Sequence, residues 1–270
     1  MSLLLLATGS GMILLPGMTR RIGRQLVPST WSWMCLHCLM VGAATIEVAF
    51  MLYAALTALG AVGIPGLANL CQRMLNALVP GGRVFGWLGA GLAVAVAVGA
   101  VIGAIRARRD RAIVRASSEL GVRIAGSSPD LVLLPTDVVI ALSISGAPDQ
   151  VIVSEGLVQI LSDEELSVVL AHEAAHLKHH HERFAIIASA IVHALWFIPL
   201  INRSTGTLRL AIERWADEAA AGLAPDGRRH LESALVKVSC SGAAPTILAF
   251  SGSDSVIERI RALQDPPRST

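Results

Sequence analysis

In this chain of 270 residues, 53% are hydrophobic and only 16% charged. With a mean hydropathy of +0.61, that composition departs from ordinary soluble domains and points to a membrane protein. Lys and Arg number 22 against 20 Asp and Glu, a net charge of +2, and there is no basic stripe with interleaved aromatics, so direct nucleic-acid binding is not expected.

In chain order, the first element is the uncharged run Ser2–Met18, followed by Arg20, Arg21 and Arg24. It lacks a basic leading segment and a clear small-residue cleavage site, so it reads as an uncleaved span. The second run, Trp33–Val62, holds Glu47 as its only charged residue. A carboxylate at that depth is costly and is expected near a helix partner or the interface. Cys35 and Cys38 form a C-x-x-C inside this run, where small apolar packing is favoured over redox or metal chemistry, and Cys71 and Cys240 have no evident partner. The third run, Val84–Ile105, has no charge in 22 residues, about 33 Å of helix against a hydrocarbon core near 30 Å.

Basic residues follow the first run and the third, at Arg106, Arg108, Arg109, Arg111 and Arg115, whereas the loop between the second and third holds only Arg73 and Arg83. The positive-inside rule then predicts an outward N-terminus and a cytoplasmic segment after residue 106. Beyond it, Leu131–Pro135, Val138–Ser143 and Gln150–Ser154 are short apolar or alternating runs separated by Pro, Asp, Gly and Ser, the pattern of a small sheet. An edge strand of such a sheet can receive an extended peptide by strand addition, which favours polypeptide as the substrate.

Ser162-Asp163-Glu164-Glu165 has the form of a capping box, and Leu166, Val169, Leu170, Ala174 and Leu177 follow at helical spacing. On that helix stands His172-Glu173-Ala174-Ala175-His176, an H-E-x-x-H run. In a chain with 8 His, chance supplies roughly 0.01 such runs. Histidines four apart share a helix face, with Cβ atoms about 5–6 Å apart, so both rings can reach one Zn²⁺. Glu173 then lies beside the open position, where it can take a proton from a water that the metal acidifies and pass it to the leaving amine.

A catalytic zinc keeps three protein ligands, so a downstream Glu is expected. Glu213 is the best candidate, and Asp217, one turn later on the same face, is placed to accept the outer N–H of a liganding His. His180 continues the four-residue spacing but lies roughly 12 Å along the axis from His172. Glu182 stands where a metzincin would have its third His, which excludes that alternative. The apolar run Phe184–Ile201 separates the motif from Glu213 by too little chain for a full crossing and return. A re-entrant or interfacial segment bent near Pro199 is therefore expected. After residue 222, Arg228–Val238 and Val256–Leu263 are the helices expected to pack the back of the domain. The only Tyr, Tyr53, falls in a span, which leaves His230 or a late Arg as the candidate oxyanion donor.

Taken together, His172-Glu173-Ala174-Ala175-His176, then Leu195-Trp196-Phe197-Ile198-Pro199-Leu200, then Glu213-Arg214-Trp215-Ala216-Asp217 resemble the BlaR/MecR-type membrane zinc peptidases, over roughly residues 107–222 and the preceding spans in outline. The resemblance implies His172, His176 and Glu213 on zinc, Glu173 as base and Asp217 in support. It also implies a bacterial cell-membrane enzyme whose cytoplasmic gluzincin domain cleaves itself and a winged-helix repressor. The 270 residues hold no S-x-x-K of a penicillin-binding sensor domain, so direct β-lactam sensing is not expected. An HtpX- or CAAX-prenyl-protease-like enzyme in membrane-protein quality control is the runner-up, since chains of that group usually place two spans, not one short run, before the third ligand. A non-catalytic scaffold is disfavoured by Glu173, which zinc binding alone does not require.

The expected architecture is thus an α-helical membrane protein with an α+β gluzincin-type zinc metallopeptidase domain, its small sheet packed on the motif helix. Residues 1–106 are read as a membrane domain with about three transmembrane helices. Residues 107–270 are read as the peptidase domain, interrupted by a membrane-associated segment at 184–201.

Overall fold

Long uncharged runs rich in Leu, Ala and Val satisfy their backbone polar groups within one segment only as helices, and they do so here. A computed structural model of the chain describes residues 2–61, 83–124, 129–223, 226–241 and 253–265, with a few positions between 66 and 74. Val62 and Cys71 lie outside the described residues. The N-terminal half supplies α1 (Ser2–Met18), the short α2 (Arg20–Gly23), α3 (Pro28–Ala61) and α4 (Arg83–Ser118). Pro28 opens α3, a position where its missing N–H costs no helical bond. Two stretches, Pro28–Ala61 and Gly86–Ser118, are long and apolar enough to cross a membrane. The 17 residues of α1 reach about 25 Å, short of the roughly 30 Å hydrocarbon core.

Four strands follow, β1 (Val122–Ile124), β2 (Asp130–Leu134), β3 (Ala141–Ile144) and β4 (Gln150–Ser154). The helices α5 (Glu155–Ile160), α6 (Asp163–Lys178), α7 (His181–Ala194), α8 (Ile201–Ala221), α9 (Gly227–Cys240) and α10 (Ser253–Gln264) complete the described chain. It divides into two compact units. The first takes Met1–Thr19, Cys35–Ile105 and Ile187–Thr205, and the second takes Arg20–Met34, Arg106–Ile186 and Gly206–Thr270.

In the first unit the helices cross at small residues. A Cβ on Gly42 would stand 2.7 Å from the Gly9 carbonyl oxygen, and one on Gly103 would stand 2.5 Å from that of Ser189. Backbones approach this closely only where no side chain intervenes, a usual device of membrane helix pairs. Val48, Met51, Val94 and Val98 are exposed on the outer faces, as side chains solvated by lipid would be. The run at 184–201 is not one helix. It breaks at residues 195–200, where Leu200 adopts φ 69, so that α7 leaves the second unit and α8 returns to it.

In the second unit the strands form a mixed sheet in the order β1-β2-β4-β3, with β2 and β4 parallel and the outer pairs antiparallel. The sheet departs from the expected strands at two places. Strand β1, exposed along its three residues, has no buried face to mark it in the sequence. Strand β3 begins at Ala141 rather than Val138, because the preceding turn is committed to α5, where Thr136 O accepts the Gly156 N–H. Val139, Ala141, Val151 and Val153 on one face pack with Leu157, Val169, Leu177, Ala234 and Val238. That layer fixes α6 against the sheet, with the edge strand β3 alongside it. On the other side of α6, Val168 meets Ala220, Leu231, Leu235, Val256 and Leu263, which docks α8, α9 and α10 around the motif helix.

Candidate metal centre

Helix α6 starts at a reciprocal cap. Ser162 Oγ accepts the Glu165 N–H at 3.3 Å, and Glu165 Oε2 accepts the Ser162 N–H at 2.8 Å. Glu165 also accepts Ser233 Oγ–H at 2.6 Å and Lys237 Nζ–H at 2.7 Å. Burial pushes the Glu165 carboxyl up, but these donors outweigh it and hold it below its ordinary value. The cap, a backbone feature, thereby ties α9 to the helix that carries the motif.

Two turns on, His172, His176 and Glu213 converge, each offering a ligand atom within 4.8 Å of the others. The Nε2 atoms of His172 and His176 are 3.1 Å apart. Glu213 Oε2 is 3.5 Å from His172 Nε2, and Oε1 is 3.8 Å from His176 Nε2. A tetrahedral zinc at about 2.0–2.1 Å from each donor separates them by roughly 3.3 Å, close to these spacings. Among the described residues Glu213 Oε2 is buried with no well-formed hydrogen bond, its charge facing Arg259 Nη1 at 3.1 Å, and a bound cation would use its free lone pair. The donor set therefore fits a divalent metal of the zinc type.

The neighbouring charges are arranged around this point. Asp217 Oδ1 stands 3.0 Å from His172 Nδ1, on the ring nitrogen opposite the cluster. Burial disfavours the charged His172 ring, but Asp217 and Glu213 outweigh it and lift its pKa to about 9. Burial pushes the Glu213 carboxyl up, but Arg259 and the two histidines overcome that and hold it at about 2. Asp217 is held well below the usual carboxylate range, its burial outweighed by Arg259 and His172. Glu173 is buried and close enough to His176 and Arg259 to act on both electrostatically.

The sequence places Arg259 in a helix expected to pack the back of the domain, as Val256 and Leu263 do, and leaves a late Arg as a candidate oxyanion donor; the structure instead turns Arg259 onto two buried carboxylates. Its Nε donates to Asp217 Oδ2 at 2.8 Å, Nη2 donates to Oδ1 at 2.6 Å, and Nη1 stands 3.1 Å from Glu213 Oε2. The preceding residue, Glu258, accepts Arg20 Nη2–H at 2.6 Å and also pairs with Arg24, while Arg214 donates to the Gly23 and Arg24 carbonyls. Apolar spacing makes α10 legible as a helix, but nothing local in the sequence indicates that its arginine turns inward.

The other singled-out residues lie elsewhere. His230 acts electrostatically on Glu164 in the first turn of α6 and is not among the grouped metal donors. Glu182 accepts a hydrogen bond from Arg111 Nη1 at 2.8 Å. His180 is exposed at φ 52. His181, which helical spacing does not bring to the motif face, places Nδ1 2.9 Å from His176 Nδ1. Burial lowers its pKa to about 2, with His176 and His179 adding to the effect. A cavity of about 550 Å³ borders the same helix, lined by Asp130, Asp149, Ala174, Ala175, Lys178 and Ala219. Its helical wall is the alanine face, which does not include Glu173.

A model of the family described as "BlaR1 peptidase M56" matches residues 90–263, more than half of the chain. Among curated proteins, the chain is 29% identical over 144 residues to the plastoglobule-localized metallopeptidase 48, chloroplastic, of Arabidopsis thaliana, covering 50% of this chain and 41% of that one. It is 27% identical over 159 residues to the protease HtpX homolog of Thermoplasma volcanium, covering 44% and 49%. The chain thus spans less than half the length of these relatives. No solved structure matches.

Proposed function

The chain belongs to the BlaR1 peptidase M56 family, and on that premise we propose that it is a membrane-bound zinc endopeptidase. It cleaves polypeptide at the cytoplasmic face of a bacterial membrane. The observation that carries this reading is the convergence of His172, His176 and Glu213 beside the buried Glu173 carboxylate. When bound there, zinc supplies polarisation of the scissile carbonyl and acidification of a water.

The protein's own groups do the rest. Glu173 takes the proton of the attacking water and returns it to the leaving amine, so the peptide bond breaks without releasing an amide anion. Asp217 holds the His172 ring in the tautomer whose Nε2 lone pair faces the cluster. Among the described residues, strand β3 is paired on one side only, with β4, and runs along α6. Its free edge can align an extended peptide with the motif helix. The candidate substrates are a cytoplasmic winged-helix repressor and the chain itself. The likeness to a protease HtpX homolog supports a second reading, turnover of other membrane proteins.

The test is Glu173→Gln in the purified full chain. Removing a general base costs about 10²–10⁴ in rate, so peptide cleavage should fall by that factor while bound metal is retained. Cleavage at the wild-type rate would sink the mechanism. Comparing proteomes of cells with wild-type and Glu173→Gln protein then separates the two substrate readings, since only the first yields a shortened repressor.

A further inference from the structure

The two motif histidines present their inner nitrogens to each other, Nε2 to Nε2 at 3.1 Å, but their outer nitrogens have different partners. His172 Nδ1 meets the Asp217 carboxylate at 3.0 Å. His176 Nδ1 meets another imidazole, His181 Nδ1, at 2.9 Å. His181 is buried, 3% exposed, within a wall of rings: Trp215 at 4.8 Å, Phe184 at 6.1 Å and His179 at 5.7 Å between centroids. The left-handed backbone of His180, φ 52, joins α6 to α7 and places His181 beside the ring five positions earlier.

We propose that His181 is the positioning residue of His176, accepting its Nδ1–H and so fixing the tautomer whose Nε2 lone pair faces the metal. This rests on the metal-donor reading of His172, His176 and Glu213. A neutral imidazole carries one N–H. Were the proton on His176 Nε2, it would point at His172 Nε2 and remove the ring as a ligand. Only one proton fits between two nitrogens 2.9 Å apart, so His181 must carry its own proton on Nε2 when it accepts on Nδ1. Among the described residues that Nε2 is buried without a partner. A residue kept only to fill the aromatic wall would not need such an unsatisfied polar atom, since Phe or Leu occupies the same space without it. His181 thus does for His176 what Asp217 does for His172, with a neutral acceptor in place of a charged one.

The test reads zinc affinity on the full chain in detergent, by competition with a chromophoric chelator and with no substrate present. Loss of a group that orients a liganding His weakens metal binding about 10–100-fold, and His181→Leu and His181→Phe, which fill the space without an acceptor, should both show that loss. His181→Asn, whose Oδ1 can replace the Nδ1 acceptor, should stay within about threefold of wild type. Circular dichroism of each metal-free variant checks the fold, and His181→Phe keeps the ring packing should His181→Leu not fold. Wild-type affinity in folded His181→Phe or His181→Leu overturns the proposal, as does equal loss in His181→Asn and His181→Phe. His172→Ala run in parallel separates the two levels of argument. If it too binds zinc like wild type, the metal-donor reading falls and takes this one with it; if it alone loses zinc, only the role of His181 is overturned.

Discussion

Arg259 holds Asp217 through two hydrogen bonds, Nε to Oδ2 at 2.8 Å and Nη2 to Oδ1 at 2.6 Å, although 42 residues separate them. The oxygen that receives Nη2 is the one that stands 3.0 Å from His172 Nδ1. The C-terminal helix is therefore part of the candidate metal centre: it fixes the carboxylate beside the first motif histidine.

Both partners are buried, Arg259 at 1% exposure and Asp217 at 2%, so removing Arg259 leaves two buried carboxylates, Asp217 and Glu213, with only the nearby His172 ring, among the described residues, as a countercharge. Arg259→Met should destabilise the metal-free protein by about 3–5 kcal/mol, and adding Asp217→Asn to that variant should restore part of the loss. Thermal unfolding in detergent of the two single variants and the double variant measures this. A change below about 1 kcal/mol in Arg259→Met would show that the pair does not hold the site.

Glu165 gives the fold an acid-sensitive cap. Its folded-state pKa is depressed below the ordinary carboxylate value of 4.5 by Lys237, Ser233 and the Ser162 N–H, against the opposing effect of burial. The unfolded chain then binds the proton more readily. The stabilisation is full above about pH 4.5 and disappears as pH falls through the folded-state pKa. Glu165→Gln should be less stable than wild type at neutral pH, with the difference shrinking on acidification. A difference independent of pH between 3 and 7, roughly the range that brackets this titration, would contradict the assignment.

His172 makes metal binding pH-dependent through a pKa shift in the opposite direction. Burial disfavours its charged form, but Asp217 and Glu213 raise the pKa to about 9 in the metal-free protein. The ring is therefore protonated at neutral pH, and a metal must displace that proton. Zinc affinity should rise about tenfold per pH unit from 7 toward 9, with about one proton released from His172 per ion bound. Calorimetry in buffers of different ionisation enthalpy counts that proton. No proton release at pH 7 would contradict the charge state given to His172.

What the sequence made legible here was local. The Ser162–Glu165 cap, the His172–His176 pair and the Glu213–Asp217 pair are separations of three or four residues on helices, and helical geometry alone places each pair on one face. Arg259 and His181 were not legible, for different reasons. Arg259 reaches the site through the tertiary packing of Val256 and Leu263, which spacing does not encode. His181 reaches His176 through a left-handed residue, His180, where an uninterrupted helix would turn position 181 away. Strand β1 has no signature in the sequence because its three exposed residues have no buried face.

Elemental analysis of the purified chain shows whether one ion is gripped jointly by a turn of α6 and a carboxylate from α8. About one zinc per chain is expected in wild type and in Glu173→Gln, and loss of most of that zinc in His172→Ala, His176→Ala and Glu213→Ala. A full equivalent of zinc retained by folded Glu213→Ala would contradict the joint grip.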